Sequence, residues 1–278
     1  MLETCFLHLP GVGPGLVAKL GDAGICTWDD ALCMALPCSG KRAETIRAGA
    51  EESKKRLLAG DIRWFGDALP PAEQWRLFPY CRNSAAFVDI ETTGLSWPED
   101  CITTIALYDG AAVRTYVQGE NLEDFADDIL AYDLLVTWNG RGFDAPILRK
   151  SLNIPLDKGH MAHLDLLPVF RKLDLRGGLK KVEKTLGIDR DNLDGVDGMM
   201  AVRLWRAYEY SRDRRFLETL LAYNVADVLS LEYLAAYAVM RHTGLSLEAQ
   251  GVAGINDCNP HAPDPDVLRK MGVYPRSF

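Results

Sequence analysis

The sequence predicts an α/β domain with a mixed five-stranded sheet flanked by helices, preceded by a small all-α domain. Residues 1–60 contain two turns marked by proline and glycine, each followed by a helical pattern. From residue 85 onward, short apolar runs typical of buried strands alternate with helical segments. A long apolar pattern over residues 216–240 predicts a major helix. Three strands in a meander, followed by alternating helices and strands, indicate a mixed sheet.

Apolar patterning and turn residues define the individual elements. Asp109 and Gly110 mark a hairpin turn between the second and third apolar runs. We expect strands at residues 86–90, 103–108, 112–117, 133–138 and 163–167, and helices at residues 121–131, 143–151 and 216–240. The domains are predicted at residues 1–60, 61–84 (an ordered connector), 85–245 and 246–278 (an extension expected to be irregular from residue 259 onward).

Composition limits the classes of protein to consider. The chain has 278 residues, of which 48% are hydrophobic and 25% charged, as in ordinary globular proteins. Its seven cysteines are odd in number and none has C-x-x-C spacing, which argues against a disulfide framework and a zinc site. Neither a signal-peptide pattern nor a membrane-length apolar run is found. We therefore expect a cytoplasmic protein with reduced thiols and no membrane partner.

The net charge of −8 disfavours a nucleic-acid binder, which usually carries a basic surface. Carboxylates that bind metal, however, count as negative until the metal arrives. Basic residues also concentrate in two runs, which are either phosphate contacts or solvated helix faces. The runs are Lys41, Arg42, Arg47, Lys54, Lys55 and Arg56, and Arg171, Lys172, Arg176, Lys180, Lys181 and Lys184.

The segment Leu9-Pro10-Gly11-Val12-Gly13-Pro14 predicts a tight turn that leads into a helix. The backbone N–H groups and positive dipole end of such a helix suit a phosphate oxygen. A degenerate copy covers residues 36–46, with Cys38 where the first glycine would stand. This stretch resembles the paired helix-hairpin-helix family of DNA repair and recombination proteins, which implies nucleic-acid binding through Gly11 and Gly13. The alternative is a hairpin used for packing or as a protein adaptor.

An acidic pair ends the first predicted strand, in Phe87-Val88-Asp89-Ile90-Glu91. Asp89 and Glu91 are two residues apart, so both side chains project from the same face of the strand. Two adjacent carboxylates raise one another's pKa or require a cation. Their hard oxygen ligands suit Mg²⁺ or Mn²⁺. The alternative is a strand that ends in exposed acids.

Two further acids, Asp144 and Asp227, occur at recognisable positions relative to predicted helices. Asp144 follows a predicted strand and a glycine-containing turn, where an ordinary helix N-cap is the strong alternative. Tyr223 and Asp227 are four residues apart on a predicted helix rich in Leu, Val and Ala, and therefore share one face. A buried carboxylate there would need a proton or a metal ion, whereas an exposed one would belong to a polar stripe.

Together these motifs resemble the DnaQ-like DEDD exonuclease superfamily over roughly residues 85–240, and most of all YprB-like RNase H-like proteins. The resemblance implies an RNase H-like fold and two divalent metal ions, Mg²⁺ or Mn²⁺, held by Asp89, Glu91, Asp144 and Asp227. Tyr223 matches the tyrosine subgroup and would orient the attacking water, although YprB-like members more often carry histidine there. The implied nucleic-acid contacts are Leu95, Asn139, Arg141, Phe143, Lys180 and Lys181.

Four functions are compatible with these features. The first is a 3′→5′ exonuclease acting on DNA, which the hairpins favour. The second is an RNA-trimming exonuclease, since no residue reports a contact to a 2′-hydroxyl. The third is a non-catalytic nucleic-acid-binding adaptor, which would gain nothing from four converging acids. The fourth is an RNase H-like endonuclease, which shares the carboxylates but not the spacing of Tyr223 and Asp227.

Overall fold

A mixed five-stranded sheet forms the centre of the computed structural model, which describes residues 1–94, 101–156, 159–245 and 258–273. Its strands are β1 (Ala85–Thr92), β2 (Ile102–Tyr108), β3 (Val113–Val117), β4 (Leu134–Thr137) and β5 (Ala162–Asp165). Their spatial order is β3-β2-β1-β4-β5, with antiparallel pairing among β1, β2 and β3 and parallel pairing of β4 with β1 and β5. The predicted fold class is confirmed.

Twelve α-helices are described around this sheet. They are α1 (Pro14–Asp22), α2 (Trp28–Cys33), α3 (Lys41–Leu58), α4 (Ile62–Ala68), α5 (Phe78–Cys81), α6 (Phe125–Asp128), α7 (Asp144–Leu152), α8 (Leu166–Lys172), α9 (Leu179–Leu186), α10 (Gly198–Ser211), α11 (Arg214–Thr243) and α12 (Pro265–Met271). Short 3₁₀ segments cover Pro71–Leu77, Arg82–Ser84, Leu122–Asp124, Ile129–Ala131 and Asp191–Leu193. Within the described ranges, no helix has the length and apolar character needed to cross a membrane.

Strand β1 is buried on both faces because α11 packs on one face and α6 and α7 pack on the other. Val88 and Ile90 point into a core that contains Phe125 and Leu148. Phe87 points the other way, into the core that contains most of α11. Because side chains alternate along a strand, Asp89 and Glu91 share the face of Phe87 and project toward α11.

The N-terminal helices share a continuous apolar core with the sheet. Trp28 of α2 stacks on Phe65 of α4 at 5.8 Å between ring centroids. The predicted connector, residues 61–84, is folded into helical segments, and Arg76 within it donates to the carbonyl oxygen of Met1 at 2.7 Å. The helical region therefore packs on the remainder of the protein through buried side chains.

Two predicted elements differ from the structure. Residues 121–131 form three short segments, 3₁₀, α and 3₁₀, and none of the three starts with a side-chain cap. The extension from residue 259 was expected to be irregular, and this expectation is wrong for Pro265–Met271, which is α12. Asp264 caps this helix by accepting from the N–H groups of Asp266 and Val267, and Pro265 starts it.

The packing of α4 on β5 is so close that adding a methyl group tests it. A methyl group at Gly66 would lie 2.8 Å from Cβ of Ala162, whereas one at Gly21 of α1 meets nothing within 4 Å. We expect Gly66→Ala to lower the free energy of unfolding by about 1–3 kcal/mol, because the close packing must shift. Gly21→Ala should be neutral or stabilise by up to about 1 kcal/mol through helix propensity. Urea unfolding measures both, and equal effects would contradict a docked connector.

Candidate functional site

Asp89 and Glu91 lie where β1 passes under α11, and both are half-buried. Asn224 of α11 donates from Nδ2 to Asp89 Oδ2 at 2.7 Å and to the Asp89 carbonyl oxygen at 3.2 Å. Thr104 of β2 donates to Asn224 Oδ1 at 3.1 Å, which orients the amide. The Asp89 carboxylate is therefore held by a chain of hydrogen bonds that joins β2, α11 and β1.

Asp144 reaches the same strand from the turn after β4. It is the first residue of α7, and Phe143 occupies the N-cap position without a side-chain hydrogen bond. The Asp144 carboxylate instead accepts from the N–H of Ile90, between the two acids of β1, at 3.3 Å, and the side chain is buried. The alternative of an ordinary N-cap is therefore wrong.

The turn that presents Asp144 is held by Asp165, at the end of β5. Its carboxylate accepts from the N–H groups of Asn139 at 2.8 Å and Arg141 at 3.1 Å. Asn139 has a positive φ of 63°, and a side chain at Gly140 would collide with Thr137. The tight path of the chain here brings α7 back onto β1.

Asp227 joins the pair on β1 from α11. It is 4% exposed, so it does not belong to a solvated polar stripe. One carboxylate oxygen from each of Asp89, Glu91 and Asp227 lies within 4.8 Å of the others, as in a group that holds a metal ion. Residues more than 130 positions apart in sequence are thus brought together by the packing of α11 on the sheet.

Crowding of these acids changes their proton affinities. Burial raises the pKa of Asp89 well above its usual range, and the carboxylates of Asp227, Glu91 and Asp144 add to the rise. Burial and Asp227 also raise the pKa of Glu91. Burial raises the pKa of Asp144 to about 7, against the opposing effect of N–H groups that include that of Ile90. Ionising all these groups therefore requires a nearby cation.

Two basic side chains approach Asp227. Arg190 is buried, and its Nη2 forms an ion pair with Asp227 Oδ1, while Nζ of half-buried Lys180 lies 3.9 Å from Oδ2. Lys180 also donates to the hydroxyl of Tyr223, and its Nζ lies 4.1 Å from the centroid of that ring. Burial, followed by the nearby carboxylates, raises the pKa of Tyr223 well above its usual range.

The donor set fits a hard divalent cation. All its ligand atoms are carboxylate oxygens, the class that Mg²⁺ and Mn²⁺ prefer. Asp227 Oδ1 is buried and has no hydrogen bond of ordinary geometry among the described residues, although it lies at ion-pair distance from Arg190. Arg190 and Lys180 together do not balance the charge of the four acids when all are ionised, and a divalent cation would neutralise the remainder.

The other expected contact residues are distributed over several elements. Asn139 is exposed, and Phe143 is half-buried against the core that contains Leu148. The guanidinium of Arg141 donates to the carbonyl oxygen of His163 at 2.8 Å. Lys181 is exposed and, with Lys180, lines a cavity of about 570 Å³ formed by α9 and residues 187–197. This cavity is lined by side chains of both charges.

The remaining expected residues belong to the hairpin and the first acidic motif. Gly11 and Gly13 are exposed in the turn before α1, and Gly11 has a positive φ of 73° that favours glycine. Gly13 occupies the N-cap position of α1. Leu95 lies outside the residues that the structure describes.

Sequence reasoning missed four residues around the acids: Asn224, Asp165, Glu183 and Arg190. Asn224 stands beside Tyr223 in the recognised motif and could have been tested as a partner of Asp89. Arg190 carried no comparable signal, because only the fold brings it to Asp227.

The sheet and the acid cluster lie in the part of the chain that matches a known protein family. The family model RNase_H_2, described as RNase_H superfamily, matches residues 86–239. No curated protein sequence matches the chain. A structure of the family B DNA polymerase from the hyperthermophilic archaeon Pyrobaculum calidifontis is 20% identical, with a TM-score of 0.40, over 57% of this chain and 24% of that one. This chain thus spans about a quarter of the polymerase.

A structure of Brucella melitensis NrnC with bound Mg²⁺ is 20% identical, with a TM-score of 0.39, over 63% of this chain and 80% of that one. The family model, in contrast, covers more than half of the chain, from β1 through most of α11. Its range includes all five strands and the elements that carry Asp89, Glu91, Asp144 and Asp227. The chain therefore belongs to the RNase H superfamily.

Proposed function

We propose that this protein is a metal-dependent 3′→5′ exonuclease that hydrolyses phosphodiester bonds at the 3′ ends of nucleic acids, with DNA as the favoured substrate. The observation that carries the proposal is the convergence of Asp89, Glu91 and Asp227 to within 4.8 Å, with Asp144 bonded to the strand between the first two. Membership of the RNase H superfamily supports a nucleic-acid substrate.

Four carboxylates would hold two divalent ions, Mg²⁺ or Mn²⁺: Asp89, Glu91, Asp144 and Asp227. When bound, such ions lower the pKa of water toward neutrality and offset negative charge on the leaving 3′ oxygen. The protein itself supplies a rigid arrangement of ligands. Asn224 holds Asp89 and the N–H of Ile90 holds Asp144, so neither carboxylate must be ordered at the moment of binding.

Tyr223 and Lys180 lie at the edge of this acid cluster. The raised pKa of Tyr223 keeps its hydroxyl protonated, so Tyr223 would orient a water molecule as a hydrogen-bond partner and would not act as a general base. Lys180 is half-exposed, and a cation in this position can contact a phosphate that approaches the acids.

The route of the nucleic acid to this site is also a proposal. Asn139 and Phe143 flank the turn before Asp144, where a terminal nucleotide would lie, and Leu95 remains a prediction for the same position. Arg141 has one terminal nitrogen engaged by His163 and could still offer its other N–H groups to a phosphate. Lys181, an exposed residue of α9, would contact the nucleic-acid strand farther from the acids.

The hairpin before α1 favours DNA over RNA in this proposal. Exposed Gly11 and Gly13 leave the start of α1 open to a phosphate group. An RNA-trimming exonuclease on the same acids is the principal alternative, and a non-catalytic nucleic-acid-binding adaptor is another. The closely spaced carboxylates favour catalysis over the adaptor, because a protein that only binds phosphate gains nothing from them.

Removal of one ligand tests catalysis directly. We expect Asp227→Asn to slow nucleotide release by at least about 100-fold. Asparagine has nearly the same shape as aspartate, but the substitution removes a charged metal ligand. Glu218→Gln is the matched control, since Glu218 lies on the same helix and outside the acid cluster. The measurement uses DNA and RNA strands labelled at either the 3′ or the 5′ end, with Mg²⁺ or Mn²⁺.

Each alternative predicts a different digestion pattern. Mononucleotides released from the 3′ end support the proposal, and the relative rates on DNA and RNA decide the substrate. Internal cuts would indicate an endonuclease. Metal-independent binding without cleavage would indicate an adaptor and contradict the proposal.

A charge at Gly13 tests the hairpin without removing it. Gly13→Asp should keep or raise the melting temperature, because aspartate is a favourable N-cap for α1. If the hairpin grips phosphate, the same variant should weaken DNA binding by about 10-fold and reduce its salt dependence. Leu130→Asp, an exposed position beside several other acids, adds the same charge elsewhere as a control. Unchanged affinity in Gly13→Asp would mean that the hairpin has another role.

Metal stabilisation should increase with pH. Folding raises the pKa of Asp89, Glu91 and Asp144, so their contribution to stability is present at low pH and lost as pH rises through the folded values. Between about pH 6.5 and pH 8, we expect the melting temperature in EDTA to fall and the gain from saturating Mg²⁺ to widen. Asp144→Asn should reduce the fall, because its pKa of about 7 lies within this window.

Three histidines act in the opposite direction in this pH range. Burial lowers the pKa of His8 to about 4, of His163 to about 3 and also that of His242, whereas unfolded histidines titrate near pH 6.5, so this contribution raises stability slightly as pH rises. It cannot cause a fall of the melting temperature in EDTA, and it is the same with and without Mg²⁺. A gain from Mg²⁺ that is the same at both pH values would argue against ionised carboxylates as its ligands.

A further inference from the structure

A buried three-residue ion cluster adjoins the acid site. Arg190 donates from Nε to Glu183 Oε2 at 2.7 Å and from Nη2 to Glu183 Oε1 at 2.5 Å. The same Nη2 forms an ion pair with Asp227 Oδ1. Arg190 is 7% exposed, Glu183 1% and Asp227 4%, so the cluster is shielded from water.

The two cations that approach Asp227 differ in their freedom to move. Arg190 is fixed by a bidentate contact with Glu183, and moving it would leave a buried carboxylate without its partner. Lys180 is half-exposed at the end of a flexible side chain and lies 3.9 Å from the other oxygen, Oδ2. Arg190 is therefore a permanent partner of Asp227, and Lys180 an exchangeable one.

We propose that Arg190, held by Glu183, is a positioning residue that fixes Asp227 Oδ1 and thereby aims Oδ2 at the ion shared with Asp89 and Glu91. This inference rests on the proposed function in one respect, since it takes Asp227 as a metal ligand. Lys180 leaves Oδ2 when a divalent ion arrives and becomes available to the phosphate of the substrate.

Stability alone does not account for this cluster. A buried ion pair gains little over apolar side chains of similar volume, because both charges lose their hydration. The guanidinium of Arg190, however, is fixed by its two contacts with Glu183, so the nitrogen that it places beside Asp227 Oδ1 has a set position and restricts the rotation of that carboxylate. Partners that orient metal ligands in this way typically alter metal affinity by about 10- to 100-fold.

A double variant separates positioning from charge. Arg190→Met combined with Glu183→Met removes one positive and one negative charge, so the net charge beside Asp227 is unchanged. We expect its melting temperature in EDTA to fall, because buried Asp227 loses its cationic partner, and its Mn²⁺ affinity, measured by titration calorimetry, to fall about 10- to 100-fold. Arg190→Lys, which keeps the charge but loses the planar fork, should weaken Mn²⁺ binding in the same direction.

The matched control uses an Arg–Glu pair elsewhere, of which the glutamate lies on α11, the helix that carries Asp227. Arg82 donates to Glu232 of α11 at 3.1 Å, and Glu232 is buried. Arg82→Met combined with Glu232→Met should leave Mn²⁺ affinity unchanged. If the double variant at 183 and 190 does not fold, Arg190→Lys decides the question, because it leaves no buried charge without a partner.

The outcomes distinguish this proposal from the nuclease itself. Wild-type Mn²⁺ affinity in both Arg190 variants would overturn positioning, as would tighter binding, which would make Arg190 a competitor of the ion. Weaker binding in a protein that releases no nucleotides would keep the positioning role and refute the exonuclease. Absence of Mn²⁺ binding by the wild type would overturn both.

Discussion

Repulsion among closely spaced carboxylates is the constraint on which the rest of this structure depends. Asp89, Glu91 and Asp227 converge within 4.8 Å, and burial and repulsion oppose the ionisation of Asp89 and Glu91. The fold opposes this cost with hydrogen bonds from Asn224 and with the buried charge of Arg190. These contacts hold the acids together without neutralising all of them, and the remaining negative charge is what makes the site suitable for divalent cations.

The order of the strands in the sheet determines how the four acids come together. The central position of β1 allows α11 to cover one of its faces, while α7 returns from β4 and brings Asp144 to Ile90. Asp165, at the end of β5, holds the turn before α7 through backbone N–H groups. The positions of the ligands on β1, α7 and α11 therefore depend on the packing of most of the sheet. Substitutions that disturb that packing would displace the acids.

Much of the fold, and part of the acid site, could be predicted from local sequence signals. The five apolar runs matched the five strands within about two residues, because a buried strand needs a short apolar run whatever surrounds it. Asp144 was ambiguous, since a residue at a helix start can cap the helix or turn away, and only the tertiary contact with Ile90 distinguishes the two. Arg190 could not be found, because its partners are fixed by the path of the chain after α9. Asp264-Pro265 is a recognisable start signal for α12, but the other prolines of this segment favour an irregular chain, so the local signals conflict.

The central claim is that acids from β1 and α11 share a cation. Anomalous diffraction from crystals soaked in Mn²⁺ tests it most directly. We predict a peak with carboxylate oxygens of Asp89, Glu91 and Asp227 at about 2.0–2.3 Å. A well-ordered site that shows no peak between these three residues, at Mn²⁺ concentrations that saturate the protein in solution, would contradict the account.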